Sequence, residues 1–356
     1  MNHITLRLPM QVACACAFAF SGAAAQERFS TVEDFLVRGV GLNASQLSAL
    51  ARGEVIDKVL PTADTRDVAV FAAVRVGVPR PFFVERQRDY PRALQTPSRI
   101  QSQVFGTPAT VADAQLVVVS DDDVKDLAKC KPNDCNFKLP ATDMDGLRRT
   151  VDLSAPDARA RVTDYVRQRM VEYVTDYRQR GNAAMLVYDD LGSVHSSEAL
   201  AAMLRDSSFE FRVNPAFARY LNDSHEPLAG ATNVIFWSLD QLPHVRRVLR
   251  ITDESVYSPA DNPGVTVFAS KQIYADHYFE AGLELLTAVD RATAGANSND
   301  GITLLAIRRY RFDHLPGGGL LNIRGRVVGG LRDNVRADLT RLKAESEAAW
   351  RAQASR

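Results

Sequence analysis

Apolar residues in this 356-residue chain follow two different spacings, and the change from one spacing to the other predicts an α+β protein. Near the start, residues 55–60 and 68–76 are rich in β-forming side chains and are separated by turn-forming residues at 61–64, which predicts a pair of strands. A short capped helix is expected over 43–52, just before this pair. Residues 79–92 then favour a helical connection.

The middle of the chain is predicted to be mainly helical. After residues 116–119, which we expect to form a fully apolar strand, the longest helix starts at 154–157 and ends at Gly181. Its buried face is predicted by apolar residues at helical spacing, namely Val162, Tyr165, Val166, Met170, Tyr173, Val174 and Tyr177. Two shorter helices are expected over 197–204 and 215–221.

The last third of the chain is β-rich and ends in a long helix. Strands are predicted over 233–237, 245–257, 265–278 and 302–312. A helix over 272–286 is an alternative for part of this region, because apolar runs of this length fit both structures. Residues 294–301 are typical of an exposed hairpin loop, and the glycine-rich residues 316–319 break the sheet. The final helix is predicted from Asn322 to about residue 349, with a buried stripe of Ile323, Val327, Leu331, Val335, Leu339 and Leu342.

The first 25 residues have the three parts of a secretory signal peptide. Arg7 supplies the positive charge, residues 12–20 form a short apolar run, and small residues lead to an Ala-x-Ala site before Gln26. The apolar run is too short to cross a bilayer, which takes about 20 residues. We therefore expect cleavage near Ala25–Gln26 and export of a soluble mature chain to the periplasm or the extracellular space, with no integral membrane segment.

Charge and motif content exclude several classes of function. The chain has 43 Lys and Arg residues against 43 Asp and Glu residues, so its bulk charge gives it no reason to bind nucleic acid or an anionic membrane. It lacks a Gly-x-Ser-x-Gly nucleophile turn, a His-Glu-x-x-His helix and a phosphate-binding loop, and we predict no cofactor. The acidic runs at 121–123 and 189–190 lack the spacing of a calcium loop, and the first is expected to begin a helix, so we predict no metal site.

Two cysteines would remain after cleavage of the signal peptide, Cys130 and Cys135. They flank the turn-forming sequence Lys-Pro-Asn-Asp, and in an oxidising compartment such a pair is expected to form a disulfide. A redox or metal-binding pair is the alternative, but the spacing is not Cys-x-x-Cys and no second Cys or His cluster completes a zinc site.

The order of the predicted elements resembles the helix-grip fold of the START and polyketide-cyclase-like superfamily. The segments that carry the resemblance are residues 53–60, 68–76, 88–91 (Arg-Asp-Tyr-Pro) and 302–342. The resemblance implies a curved antiparallel sheet that grips the C-terminal helix around a deep apolar cavity. Residues 140–240 depart from it as a helical insertion, so the α+β domain would consist of residues 26–139 and 241–356.

A second resemblance spans nearly the whole mature chain. The cysteine pair, Lys-Leu-Pro at 138–140, Ser-Lys-Gln-Ile-Tyr-Ala at 270–275 and His-Tyr-Phe at 277–279 are similar to a group of secreted bacterial proteins with no assigned function. This resemblance implies export and a single evolutionary unit. It implies no activity.

The densest polar and aromatic segment lies at 270–279, and it contains four candidate ligand contacts: Lys271, Tyr274, His277 and Phe279. In a regular strand Tyr274 points away from the other three, so one face or the other would line a cavity. Arg308 and Tyr310, on the last strand, are expected to face the C-terminal helix. For all six residues, ordinary packing in the core is the alternative interpretation.

These features predict an exported protein that binds a hydrophobic small molecule, such as a lipid or a polyketide-like compound, between the late strands and the C-terminal helix. One alternative is an enzyme on the same scaffold, in which His277 acts as a general base with a partner from elsewhere in the chain. Another is an envelope interaction protein with a filled core and no ligand. The sequence names no substrate.

Overall fold

The computed structural model describes residues 31–206, 215–223, 227–241, 246–291, 301–315 and 322–355. The predicted signal peptide, the glycine-rich break at 316–319 and nearly all of the predicted loop at 294–301 lie outside these residues. The fold is built on an eight-stranded antiparallel sheet with the order β1-β2-β10-β9-β8-β7-β6-β3. Its strands are β1 (Ile56–Leu60), β2 (Asp67–Val76), β3 (Arg99–Val104), β6 (Ala231–Asp240), β7 (Val248–Tyr257), β8 (Val265–Ala275), β9 (Phe279–Asp290) and β10 (Ile302–Phe312). Two short strands, β4 (Val187–Tyr188) and β5 (Val194–His195), pair separately.

Helices connect these strands and cover the sheet. They are α1 (Val32–Asp34), α2 (Ala44–Ala51), α3 (Arg80–Arg88), α4 (Tyr90–Ala93), α5 (Asp121–Lys129), α6 (Ala141–Thr150), α7 (Ala158–Arg180), α8 (Ser196–Asp206), α9 (Pro215–Asn222) and α10 (Ile323–Ala354). A π-helical turn covers Phe35–Gly39, and 3₁₀ turns cover Val111–Ala114 and Gly181–Ala184.

Both faces of the sheet are buried, which explains why β2 is apolar along nearly its whole length. On one face Val70 and neighbouring β2 side chains pack with Val335 and Leu339 of α10. On the other face Phe71 belongs to the larger core that includes Val162 and other residues of α7. The two faces therefore carry separate cores, one under α10 and one under α7.

The coarse fold prediction is confirmed. The protein is α+β, with a large antiparallel sheet and a long C-terminal helix. The helix predicted over 43–52 is α2, and Asn43 and Gln46 form the capping box at its start. The helix predicted to end at Gly181 is α7, and the final helix continues to Ala354 rather than to about 349.

The strand predicted over 116–119 is wrong. These residues pair with no strand, and side chains of α7 bind their backbone instead. Arg167 Nε donates to the Val117 carbonyl at 3.0 Å, and the Val119 amide donates to Thr163 Oγ1 at 3.1 Å. An apolar run becomes a strand only where another strand offers backbone partners, and here the helix supplies them.

Two strands of the large sheet, β3 and β9, are not predicted by the sequence pattern. The alternative helix over 272–286 is wrong, because β8 continues to Ala275 and β9 begins at Phe279. Phe279, Leu283 and Leu286 recur at intervals of four and three residues, a spacing that also suits a helix. Pairing with β8 on one side and β10 on the other outweighs that local preference.

Candidate functional site

Four polar side chains lie side by side across the sheet beneath α10. The strand register sets Glu254 of β7 opposite Ser270 of β8, Ser270 opposite Glu284 of β9, and Glu284 opposite Arg308 of β10. Arg308 also reaches Asp338 of α10, with 2.6 Å between Nη2 and Oδ2. We call Glu254, Ser270, Glu284 and Arg308 the polar row.

Most charges of the polar row are compensated. Arg308 Nε lies 3.0 Å from Glu284 Oε2, and the same guanidinium also pairs with Asp338. The Tyr310 hydroxyl donates to Glu284, and Arg250 lies 3.8 Å from the same carboxylate. The charge of Glu284 is therefore shared among several donors.

Gly282 makes the Tyr310 contact possible. A Cβ atom at Gly282 would lie 2.9 Å from the Tyr310 ring, closer than real contacts allow. The missing side chain leaves room for the Tyr310 ring to lie against β9, within reach of Glu284. A local sequence feature, a glycine inside a strand, thus helps to position the polar row.

A cavity of about 130 Å³ lies between the polar row, α4 and α10. Its wall mixes polar and apolar side chains, including Tyr90, Leu94, Arg99, Glu254, Phe268, Ser270, Glu284, Leu286, Arg308, Val335, Asp338, Leu339 and Leu342. The volume is close to that of an engineered protein cavity, about 150 Å³, which binds benzene. The cavity is thus the right size for one small ring or a short chain.

Glu254 differs from the other charged residues of the cavity wall. Among the residues that the structure describes, its recorded hydrogen bond is from Ser270 Oγ to Oε2 at 3.0 Å, and no basic side chain lies within ion-pair distance of it. Burial raises the pKa of Glu254 to about 7. The negative charge of Glu284 also raises this pKa, whereas the hydrogen bond from Ser270 and the positive charge of Arg99 lower it. Its proton therefore exchanges near neutral pH, a property that is common at functional sites.

Three of the six residues predicted as ligand contacts lie on the same face of the sheet as the cavity. Arg308 lines the cavity, and Tyr310 lies beside it in contact with Glu284. The ring of Phe279 packs against that of Tyr310, with 5.3 Å between centroids. Of the three, only Arg308 contributes to the cavity wall.

Lys271 and Tyr274 face the opposite core, under α7. Lys271 Nζ lies 2.9 Å from Asn182 Oδ1 and 3.5 Å from Asp253 Oδ2. The Tyr274 hydroxyl donates to the carbonyl of Lys138 at 3.2 Å. Both side chains are almost fully buried and have protein partners.

A β-bulge explains why Tyr274 joins Lys271 on this face. In the β7–β8 pairing Tyr274 lies opposite Ile251 and Gln272 lies opposite Thr252, so Ile273 is the extra residue. The alternation predicted for 270–279 therefore shifts at Ile273. Pattern alone does not reveal such an insertion.

His277 lies in the turn between β8 and β9 and is only 3% exposed. Its Nδ1 is 2.7 Å from the Asn136 carbonyl, and its Nε2 is 3.2 Å from Asp123 Oδ1. Burial alone would lower the pKa of His277, but Asp276 and Asp123 raise it to about 9. Both ring nitrogens thus have oxygen partners within the protein, and the raised pKa favours the protonated ring. The role of His277 as a general base stays a prediction.

His277 belongs to a larger group of buried charges at this end of the sheet. Lys138 is 1% exposed and contacts Asp190 at 3.1 Å and Asp313 at 2.5 Å. Its backbone amide donates to Asp276 O at 2.8 Å, which links it to the turn that holds His277. We call Lys138, Asp190, Asp313, Asp276, His277 and Asp123 the end network.

The cysteine pair lies next to the end network. Cys130 and Cys135 are disulfide-compatible, with 4.4 Å between their Cα atoms. The amide of Cys135 donates to the Asp190 carbonyl at 3.1 Å, and the amide of Asn133 donates to the Asp189 carbonyl at 2.7 Å. The loop between the cysteines thus holds the acidic strand end that pairs with Lys138.

Comparison with protein-family models, curated proteins and solved structures found no match. Within the described ranges, no helix combines the length and the apolar character that a membrane span requires. The same ranges contain no group of three or more His, Cys, Asp or Glu side chains that is arranged to hold a metal ion. Function is therefore inferred from the chemistry of the site itself.

Of the six residues predicted from the sequence as ligand contacts, Arg308 alone lines this cavity. Two signals are visible in retrospect. Glu254 is an acid within an otherwise largely buried strand, and Tyr90 belongs to the segment 88–91 that carries the superfamily resemblance. Neither signal distinguishes a ligand-binding residue from one with a partner inside the protein, because that depends on the strand pairing.

Proposed function

We propose that this protein binds a small amphipathic molecule in the cavity beneath α10, and that the ligand presents a protonated amine to Glu254. The observation that carries the proposal is the Glu254 carboxylate at the cavity wall, which forms no ion pair with a basic side chain in the described part of the chain. A partly buried carboxylate is costly without a counter-charge, and a ligand cation would supply one.

The other charges around the cavity favour a cation over an anion. Arg308, the basic member of the row, is held between Glu284 and Asp338. Arg99 lies 3.5 Å from Asp240 and favours the ionised form of Glu254 only from beyond ion-pair distance. An anionic ligand would have to compete with these carboxylates for the guanidinium groups, whereas a cation meets no ion pair at Glu254 among the described residues.

The apolar part of the cavity wall suits the rest of the ligand. Phe268 of β8 and Leu339 and Leu342 of α10 line the cavity. Burial of about 100 Å² of apolar ligand surface would contribute about 2.5 kcal/mol. Burial raises the pKa of Tyr90 above its usual value, so its hydroxyl stays neutral and serves as a hydrogen-bonding group.

The proposal retains the location that the helix-grip resemblance implies, between the sheet and the C-terminal helix. It also retains export after cleavage near Ala25–Gln26, which the disulfide-compatible cysteine pair supports. A hydrophobic ligand of lipid or polyketide type fits the proposal if it carries an amine and if most of it lies outside the 130 Å³ cavity.

Calorimetry and thermal shift with matched pairs of ligands test the proposal. We expect benzylamine and butylamine to bind the full chain and to raise its melting temperature, and benzyl alcohol, butanol and butyrate to have little effect. Because Glu254 ionises with a pKa of about 7, amine binding should be about tenfold stronger at pH 8 than at pH 6.

Glu254→Gln should abolish the preference for amines, and Glu198→Gln, the same change on an exposed helix position, should not. Equal amine binding by Glu254→Gln and the unaltered chain would contradict the role of Glu254. Failure of the whole panel to bind the unaltered chain would contradict the function and would favour the interaction protein with no ligand.

A further inference from the structure

An open groove of about 490 Å³ adjoins the cavity at the edge of the sheet. It runs over β3, and its apolar wall is formed by Pro91, Leu94, Pro97, Ile100 and Leu116. Leu94 and Arg99 line both the groove and the cavity, so these two side chains form the boundary between the two spaces.

The groove exposes apolar surface that the fold itself does not use. Ile100 is 43% exposed and Leu116 is 48% exposed, and both lie in its wall. Contiguous exposed apolar surface that is bordered by polar groups is typical of a binding site. Gln95, Gln101 and Ser102 supply such a border here.

Arg99 is fixed at the boundary. Its Nη1 donates to the Leu94 carbonyl at 3.2 Å, and its guanidinium lies over the Phe236 ring at 5.2 Å from the centroid. Its charge is directed towards Asp240, 3.5 Å away. The guanidinium is thus held by a carbonyl, an aromatic ring and a carboxylate of the protein, and the aliphatic part of the side chain is left to line the passage.

We propose that the natural ligand is a long-chain amine whose head occupies the cavity at Glu254 and whose apolar tail passes Leu94 and Arg99 into the groove. This inference rests on the proposed function and specifies the class of its ligand. The strand order places β6 between β7, which carries Glu254, and β3. Two strand spacings of about 4.8 Å lie between the two strands, and Glu254 and Ile100 are also offset by about five residues along them, so that their Cα atoms lie roughly 20 Å apart. A straight tail of about 14 carbons is long enough to span most of that distance.

A series of straight-chain amines of increasing length tests this inference on the full chain. Tetradecylamine has ten methylenes more than butylamine, and we expect it to bind more than about 100-fold more tightly, because each methylene that leaves water strengthens binding up to about fourfold. In Leu116→Asp the ratio of the two affinities should fall to near one. Leu191→Asp changes a leucine that is 63% exposed outside the groove, and it should keep the ratio of the unaltered chain.

The outcomes separate the two proposals. If butylamine binds but tetradecylamine binds no more tightly, the tail site is wrong and the amine-binding function stands. If Leu116→Asp and Ile100→Asp, each confirmed as folded by circular dichroism, both keep the full ratio, the tail lies elsewhere and the groove assignment is wrong. If neither amine binds, the proposed function itself fails.

Discussion

The sheet carries clusters of charge in two places, one mostly buried and one partly buried, and the two differ in how completely their charges are paired. In the end network Lys138 contacts two carboxylates, and both ring nitrogens of His277 have oxygen partners. In the polar row Glu254 borders a cavity, and its only recorded hydrogen bond among the described residues comes from the Ser270 hydroxyl. A complete set of partners indicates a structural role, and an incomplete set next to space indicates a ligand site.

The difference predicts opposite responses to the loss of a charge. Removal of a member of the end network leaves its partners buried and unpaired, which destabilises the fold. Removal of the Glu254 charge eliminates a carboxylate that lacks a cationic partner in the described part of the chain, and it should therefore stabilise the fold. The predictions below follow from this contrast, and they run from the largest expected effect to the smallest.

Lys138→Met should lower the free energy of unfolding by about 3–5 kcal/mol, because Asp190 and Asp313 would remain buried without their cation. Urea denaturation at neutral pH measures the loss. Lys125→Met is the matched control, since Lys125 forms its ion pair with Asp122 at 69% exposure and its loss should have little effect on stability. A loss of the same size in both variants would contradict the distinction between the buried ion pairs of Lys138 and the exposed ion pair of Lys125.

His277→Gln should alter how stability depends on pH. The folded-state pKa of His277 is raised to about 9 from an ordinary value of 6.5, so its contribution is fully present below pH 6.5 and is lost as pH rises through 9. The contribution below pH 6.5 is about 3 kcal/mol. Unfolding free energies at pH 6, 7.5 and 9.5 should converge between variant and unaltered chain at the highest pH.

The control for that measurement is His195→Gln, which replaces an exposed histidine of β5. It should keep the pH profile of the unaltered chain. A constant difference between His277→Gln and the unaltered chain at all three pH values would show that His277 packs in the structure without holding an extra proton.

Glu254→Gln should increase stability, in contrast to both changes in the end network. The pKa of Glu254 is raised to about 7 from 4.5, so ionisation disfavours the folded state and the unaltered chain loses stability as pH rises from 4.5 through 7. The variant avoids this loss, and its advantage should be near zero at pH 4.5 and about 3 kcal/mol at pH 8. A lower stability of Glu254→Gln at pH 8 would mean that Glu254 has a partner within the protein.

Alternation and helical spacing were sufficient to predict the elements whose buried positions follow from their own sequence. The paired strands β1 and β2, the buried stripe of α7 and the long helix α10 all follow from their own sequences. β9 does not, because its residues also suit a helix and only its neighbours on both sides make it a strand. The bulge at Ile273 likewise depends on the pairing with β7.

The candidate site was less predictable than the fold, for a related reason. Arg308 was identified from its strand, but the importance of Glu254 depends on which carboxylates receive the available guanidinium groups. Glu284 and Asp338 bind Arg308, and Asp240 lies closest to Arg99. These pairings join residues that are distant in sequence. No local sequence pattern therefore shows which acid lacks a basic partner.

The smallest predicted effect concerns the one hydrogen bond that Glu254 receives. Ser270→Ala removes the donor to Oε2 and should raise the pKa of Glu254 further above 7, since this bond favours the ionised form. At pH 8 we expect a loss of about 1 kcal/mol in the unaltered background and a smaller loss in the Glu254→Gln background. A double-mutant cycle of unfolding free energies measures this coupling. Equal losses in both backgrounds would mean that Ser270 acts through packing alone. The pKa of Glu254 would then be set by burial and by its charged neighbours.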